Sequence, residues 1–317
     1  AMAHEPADTL HRNIDEVQIT ASVKSDRREV SNVATTSLNM RQMEQQGIGS
    51  IKEISLIAPN FYQPDYGSSI TSSIYVRGFG SRIDQPVLGV TIDDIPMMNK
   101  NVYDFDFYDI RRVELLRGPQ GTLYGRNTSG GVMNIQTLSP FEWQGFRGMA
   151  EYSTLTSYRA SAAYYAQPTT KFGVSLAATF NHDGGYFRNT YTDEMCDDGN
   201  RASVRLRLKW FGNRGWNFDN IITAGYVDEG GYAYHPYNPT TEHYSPIAYN
   251  DPSGYERLTL SEGFVARYIG QKVRIQSTTS YQYLDDRMTL DQDFSPKSMF
   301  TMQQMQREHS LTEDIVI

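Results

Sequence analysis

A single cysteine, Cys196, stands in 317 residues, so an internal disulfide and a thiolate metal cage are both excluded. Tryptophan is scarce, with three residues, and no apolar run approaches the roughly 18 residues of a membrane-spanning helix. Basic charge is outweighed, with 29 Lys and Arg against 37 Asp and Glu for a net charge of −8, so no global field draws nucleic acid. The first residues, AMAHEPADTLHRN, hold no apolar core of a secretory signal. These absences do not exclude a membrane protein, because a transmembrane β-barrel shows only alternating segments of about ten residues. What the chain does have is tyrosine: 22 Tyr and 14 Phe. Such side chains suit strands and boundaries that are apolar on one side and wet on the other.

The pattern changes near residue 140. Before it the chain mixes helical and strand phrases. TSLNMRQMEQQGI (36–48) reads as a helix, with Met40 and Met43 on one face and Gly47 as a stop. SIKEISLIAPN spaces Ile51, Ile54 and Leu56 or Ile57 helically before Pro59. SSIYVRGFG, PVLGVTIDDIP, RRVELLRG and GVMNIQT read as strands, so residues 36–140 form an expected α/β domain after an arm at 1–35.

Beyond Pro140 the period is two. Phe172, Val174, Leu176, Ala178 and Phe180 share one face; Val204, Leu206, Leu208 and Trp210 oppose Arg205, Arg207 and Lys209. Eight strands are expected, beginning near Gln144, Ser157, Lys171, Asn200, Trp216, Leu258, Gln271 and Gln306. Long connectors fall on one side and tight turns on the other, as in outer-membrane barrels. The long ones include the stretches from Asp228 to Arg257 and from Asp285 to Met305. A secreted, soluble β-rich binding or adhesion protein is the alternative, and it would need a polar outer face on these strands. An eight-stranded barrel is filled by its own side chains. It could not enclose the domain before it, so residues 141–317 are expected to be part of a larger wall.

The phrase RVELLRGPQGTLYGRNTSGGVMNIQT (112–137) lacks the lysine of a P-loop and the spacing of a dinucleotide fingerprint. His182–Asp183, Asp197–Asp198 and Asp285–Asp286 form no nucleophile–base constellation, so no enzyme is expected. No metal site is expected either.

The same phrase, with SIYVRGFGS (73–81), VTIDDIPM (90–97) and PNFY (59–62) upstream, closely resembles the plug-domain signature of TonB-dependent outer-membrane receptors. Its signature residues are Arg77, Gly78, Glu114, Arg117, Gly118, Pro119, Gly121, Tyr124, Gly125, Gly130 and Gly131. The resemblance implies an α/β plug inside a large antiparallel barrel, commonly of 22 strands, in the outer membrane of a Gram-negative bacterium. It implies import of a scarce nutrient, most readily a ferric siderophore, with heme or cobalamin as the alternative. The partner would be TonB with its inner-membrane energising complex, and no cofactor is implied beyond the transported iron chelate.

IDEVQITA sits where the family carries its TonB box, which assigns Asp15, Glu16, Val17, Gln18, Ile19, Thr20 and Ala21. Plug charges such as Glu114 are expected to meet barrel arginines, of which Arg205, Arg207 and Arg274 are available. Ligand contacts would come from plug apices and loops, giving Tyr62, Gln63, Tyr66, Arg82, Gln85, Asn99, Lys100, Tyr103, Tyr234, His235 and Tyr237. Basic and aromatic side chains together suit an anionic, aromatic iron chelate.

Overall fold

The structure is a computed structural model and describes residues 33–64, 66–69, 73–80, 86–98, 100–106, 108–121 and 127–317. Two β-structures divide the chain. In the first, β1 (Ala34–Asn39) leads into helix α1 (Met40–Gln46). Asn39 and Gln42 cap that helix reciprocally, each side chain accepting from the other's backbone N–H at 2.9 Å, and Gly47 ends it with φ 65°. Residues 36–39, expected as helix, are therefore strand. Leu38 is buried there and the segment pairs with Ile110–Arg117, so tertiary pairing overrides local periodicity. Lys52–Leu56 is a short 3₁₀ turn with Ile51 and Ile54 fully buried and Leu56 exposed.

Two two-residue strands follow β2 (Phe61–Tyr62). They are β3 (Tyr75–Val76) and β4 (Phe79–Gly80), joined by Arg77 and Gly78, both with positive φ. β5 (Leu88–Ile92) turns through Asp93 and Asp94 into β6 (Ile95–Pro96). β7 (Ile110–Arg117) and β8 (Gly131–Thr137) complete a sheet of order β1-β7-β8-β5-β6, parallel only between β5 and β8. Leu88, Val90, Val113, Leu115, Met133 and Ile135 form its core, joined by Leu284 from the second structure.

That second structure is an eight-stranded antiparallel meander. Its strands are β9 (Gly145–Tyr152), β10 (Tyr158–Thr169), β11 (Phe172–Asp183), β12 (Gly199–Phe211), β13 (Trp216–Gly230), β16 (Gly254–Ile269), β17 (Arg274–Asp291) and β18 (Thr301–Val316). A small hairpin, β14 (Tyr237–Asn238) with β15 (His243–Tyr244), stands in the loop after β13. Side chains alternate: on β11 Phe172, Leu176 and Phe180 face outward, while Ser175, Ala177 and Thr179 are buried against the plug side. Trp210, Trp216, Phe218, Phe264 and Tyr268 gather near the short-turn rim with ring centroids 5.2–6.0 Å apart, an interfacial girdle. No helix of the described residues is long and apolar enough to cross a membrane; strands do the crossing.

The strands outrun their sequence signal at the long-loop rim. β17 continues to Asp291 and β18 begins at Thr301, where a connector from Asp285 to Met305 was expected. The ladder persists there, but the outward positions carry Glu256, Asp285, Arg287 and Arg307, so apolar alternation stops where water begins. Cys196 lies in the loop after β11 but is buried with Ile247 and Tyr249, its thiol donating to the Phe187 carbonyl.

Glycine at 131 is needed for closeness. A Cβ there would stand 2.3 Å from the Leu116 carbonyl oxygen across the β7–β8 ladder. Gly131→Ala is expected to destabilise the plug sheet by about 1–3 kcal/mol. The check is plug protease resistance in the full receptor, and unchanged resistance would contradict the packing argument.

Candidate outer ligand cleft and plug seam

The meander wraps one side of the small domain, and the contact between them is ionic. Asp104 meets Arg257 at 2.7 Å, Asp93 meets Arg207 at 3.4 Å and Asp106 meets Arg159 at 4.0 Å. Asp94 pairs with Arg267, and Asp109 with Arg205. Each arginine occupies an inward position of a wall strand, opposite the outward apolar set. Further hydrogen bonds fill the gaps. Gln282 accepts from the Met98 N–H at 2.9 Å and donates to the Pro96 carbonyl at 2.6 Å. Asn101 donates to Asp286 at 3.3 Å, and Arg207 to the Thr137 hydroxyl at 2.7 Å.

The expected partner of these arginines was Glu114. Glu114 is fully buried inside the plug sheet and takes Arg112, two residues away on its own strand, at 2.8 Å. It lies on β7 between β1 and β8, fully buried, and turn and loop aspartates reach the wall instead.

Above the seam, at the long-loop rim, lies a cleft of about 830 Å³. Gln63, Tyr66, Gly67, Ser68 and Ser69 of the plug line one side, Arg159, Asn181 and His182 the wall, and Arg201, Glu229 and Tyr234 the far end. The apex loop is strapped to the wall. The Tyr232 N–H donates to the Gly67 carbonyl at 2.8 Å, and the Tyr234 hydroxyl to the Tyr66 carbonyl at 2.5 Å. The Ser69 N–H donates to Glu229 at 2.7 Å, whose other oxygen takes Arg201 at 2.9 Å. Gly67 supplies the positive φ, 93°, that the apex loop adopts at this bond. Burial pushes the Tyr232 phenol up to about 12. The Oε1 atom of Gln63, a 7 % exposed residue, has no hydrogen-bond partner among the described residues.

Of the expected ligand contacts, the cleft gathers Gln63, Tyr66 and Tyr234. Tyr62 is exposed beside it on β2. Tyr103 is corrected: its ring is in the plug core, 1 % exposed, and its hydroxyl donates to the Leu88 carbonyl at 3.2 Å. Lys100 stands on a 3₁₀ turn away from the cleft lining, beside Asn101 that faces the wall. His235 pairs with the Ser245 carbonyl, and Tyr237 packs at a tilt against Tyr244, ring centroids 5.3 Å apart, in the outer hairpin. Arg82, Gln85, Asn99, Tyr124, Gly125 and the box Asp15–Ala21 lie outside the described residues. Of the remaining signature positions, Arg117 donates to the Pro59 carbonyl at 2.5 Å, and Gly118 and Gly130 join the ends of β7 and β8 through a 2.8 Å bond.

The lining charges are not those expected. Lys52, Arg159 and Arg201 are outnumbered by Glu53, Asp104, Asp106, Glu151, Asp183, Asp197 and Glu229. Arg159 and Arg201 are moreover engaged by Asp106 and Glu229. A second cavity, of about 100 Å³, lies below between Met97, Met98 and Phe105 of the plug and Ser203, Thr223 and Thr259 of the wall. Asp104, Asp106 and Arg201 line both spaces, so the 104–106 segment is the partition between them. The sequence signal for these residues was the run YDFDFYD, with acids two apart and aromatics between. Among the described residues no cluster of His, Cys, Asp and Glu could hold a metal ion.

A plug sheet seated by ion pairs on a long-stranded, outward-apolar meander defines an outer-membrane receptor architecture, and comparisons with known proteins agree. Residues 27–132 match the TonB-dependent receptor plug domain family. The chain is 31% identical over 212 residues to the pesticin receptor of Yersinia enterocolitica, covering 64% of this chain and 31% of that protein; the Yersinia pestis pesticin receptor aligns equally. The chain therefore spans about a third of the length of these curated relatives. Among solved structures, the ferric yersiniabactin uptake receptor FyuA of Yersinia pestis superposes with a TM-score of 0.79 at 21% identity, over 90% of this chain and 45% of that one. FpvA of P. aeruginosa bound to heterologous pyoverdines gives 0.71 at 15% identity, over 91% and 40%. The chain belongs to the TonB-dependent receptors. It is accordingly a protein of the Gram-negative outer membrane, with an α/β plug followed by barrel strands.

Two neighbouring carboxyls of the partition are tuned in opposite directions. Burial by itself pushes Asp104 up, but Arg257 and Arg201 outweigh it and hold it below the usual carboxylate range. At Asp106 burial prevails over Arg159 and Arg201, and the carboxyl is pushed up. A lowered folded-state value means charged Asp104 stabilises docking above the ordinary carboxylate range, an effect lost as pH falls through the lowered value. For Asp106 the sign reverses: its charge opposes docking, and acidification through the raised value relieves this. At pH 7, Asp104→Asn should therefore loosen the 97–109 segment and Asp106→Asn should not. Hydrogen exchange on the full receptor reads this; equal loosening by both would overturn the assignment.

Proposed function

We propose that the intact receptor imports a ferric siderophore across the outer membrane, energised by TonB. The observation that carries this reading is the apex loop Tyr62–Ser69, strapped to the wall over a polar cleft whose floor is the partition at Asp104–Asp106. A ligand in that cleft touches plug and wall together, which binding and triggered release both require. The relatives point the same way: one is named a ferric yersiniabactin uptake receptor and another was solved with pyoverdines.

On this reading residues 1–35 are a periplasmic arm with the TonB box at Asp15–Ala21, residues 36–140 the plug, and residues 141–317 the first part of the barrel. A short β-prone segment on an arm engages a partner's sheet edge by strand addition, through backbone bonds. Gln63, Tyr66 and Tyr234 are the proposed ligand contacts of this part of the vestibule. The unpartnered Gln63 acceptor and the surplus of carboxylates favour a chelate bringing N–H or O–H donors over a polyanionic one. That revises the ligand chemistry suggested by arginine and lysine in the sequence.

Growth of a deletion strain on defined ferric siderophores, restored by the intact gene, tests the import reading. Rescue independent of TonB, or no rescue with any siderophore, would sink it. Within the box, Val17→Pro removes a backbone donor from the added strand. Uptake of radioactive iron should fall at least about tenfold while ligand binding to isolated membranes stays unchanged.

A further inference from the structure

The outward face of the meander is not uniform. Across β10, β11 and β12 it is unbroken: Tyr164, Val174, Leu176, Phe180, Val204, Leu206 and Leu208 are all uncharged, and only Tyr164 carries a polar atom. Across β13, β16, β17 and β18 polar groups interrupt it. Asn220 stands between Phe218 and Ile222, and Glu262 between Leu260 and Phe264, two apolar side chains that are 45% and 42% exposed. Ser277 and Thr279 follow Ile275, and Glu313 stands between the exposed Leu311 and Ile315. Opposed residues of an antiparallel pair share a face, so pairing of Ile222 with Glu262 and of Thr279 with Glu313 puts both carboxylates outside.

They lie deep. Glu262 is six residues above the girdle residue Tyr268, roughly 15 Å at strand rise and tilt, within an apolar band about 25 Å tall. Glu313 pairs with Thr279, five residues above the rim residue Arg274, which places it at about 13 Å. The local donors are neutral: the Asn220 amide to Glu262 at 3.2 Å, and the Ser277 hydroxyl to Glu313 at 2.7 Å with Thr279 beside it. Among the described residues no lysine or arginine shares this face within the band. Arg287 and Arg307 stand higher and are paired with Glu256 and Asp285, whereas the arginines at band depth point inward to the plug. An ionisable group at this depth is stable against protein and unstable against lipid chains.

We propose that the outward face of β13, β16 and β17, with Glu313 at its margin, is a lateral docking surface for another outer-membrane protein, one that presents a lysine or arginine at the depth of Glu262, whose two neighbouring strands carry none on this face within the band. A second copy of this receptor is a poor fit. A two-fold axis along the membrane normal brings equal depths together, so the strip would meet itself and set carboxylate against carboxylate. A cationic side chain on a different barrel or membrane-inserted segment supplies the missing charge, and the flanking Leu260, Phe264 and Leu311 supply apolar contact.

The test uses the full receptor in its native outer membrane, with a photoreactive residue in place of Leu260. The expected product is a covalent adduct to a different protein, whose linked peptide contains lysine or arginine. It should fall at least about tenfold with Glu262→Gln and Glu313→Gln, since the interfacial charge pair is lost. The same photoreactive residue in place of Leu206, on the unbroken face, should give lipid adducts only. Heat-modified migration confirms that each variant barrel is folded, and Ile222 serves as the probe position if the Leu260 variant does not assemble. Lipid adducts alone at the strip, an adduct between two receptor copies, or a protein adduct indifferent to both substitutions would each overturn the proposal.

Discussion

Everything in this molecule depends on arginines that point into the barrel finding aspartates on the plug. A charge withdrawn from water needs a partner, and breaking a buried pair costs far more than forming it contributes. Arg205, Arg207, Arg257 and Arg267 therefore do little to hold the plug by net energy but a great deal to decide where it sits. A shift of one residue along any wall strand turns its arginine to the lipid side, so the wall's alternation and the plug's seating are one constraint. Ion pairs and amide bonds, unlike interdigitated aliphatic packing, can also be exchanged for water when the plug moves. The wall–plug contact is apolar at three places: Leu284, the cluster of Ile95, Ile221 and Val265, and the cluster of Leu138, Ala163, Tyr165 and Ala177.

Much of the barrel was legible because lipid on one side and a polar lumen on the other impose strict alternation. Val204 to Trp210 against Arg205 to Lys209 announces strand, face and environment in a few residues. The signal fails where lipid ends: beyond Glu256 and Asp285 the outer face is wet while Tyr255, Met288 and Leu290 are buried on the inner one, so the apolar positions change face and the ladder runs on unannounced. In the plug, local pattern misleads at residues 36–39, whose strand state comes from pairing with β7 rather than from their own periodicity. Motif identity also outran motif geometry. The glycine-rich phrase located β7 and β8, but nothing local says that Glu114 is spent on Arg112 while Asp93, Asp104 and Asp109 reach the wall.

The cleft shows the same division. Gln63, Tyr66 and Tyr234 are legible in the sequence as polar and aromatic residues of loops. Tyr103 was included on that ground too, yet a tyrosine can spend its hydroxyl on a core carbonyl, and only packing reveals this. Arg201 and Glu229 were missed because neither is distinctive alone. Their meaning comes from a strand end brought to Ser69, about 160 positions away in the chain.

The strap between the apex and the outer loop has an evolutionary side. Its central bond runs from the Tyr232 backbone to the Gly67 backbone, at a positive-φ glycine, rather than between a matched pair of side chains. Residues further out, around the Tyr237–Tyr244 hairpin, can thus be exchanged without loosening the grip on the plug. The outermost surface is thereby mechanically separate from the link that holds the plug beneath it.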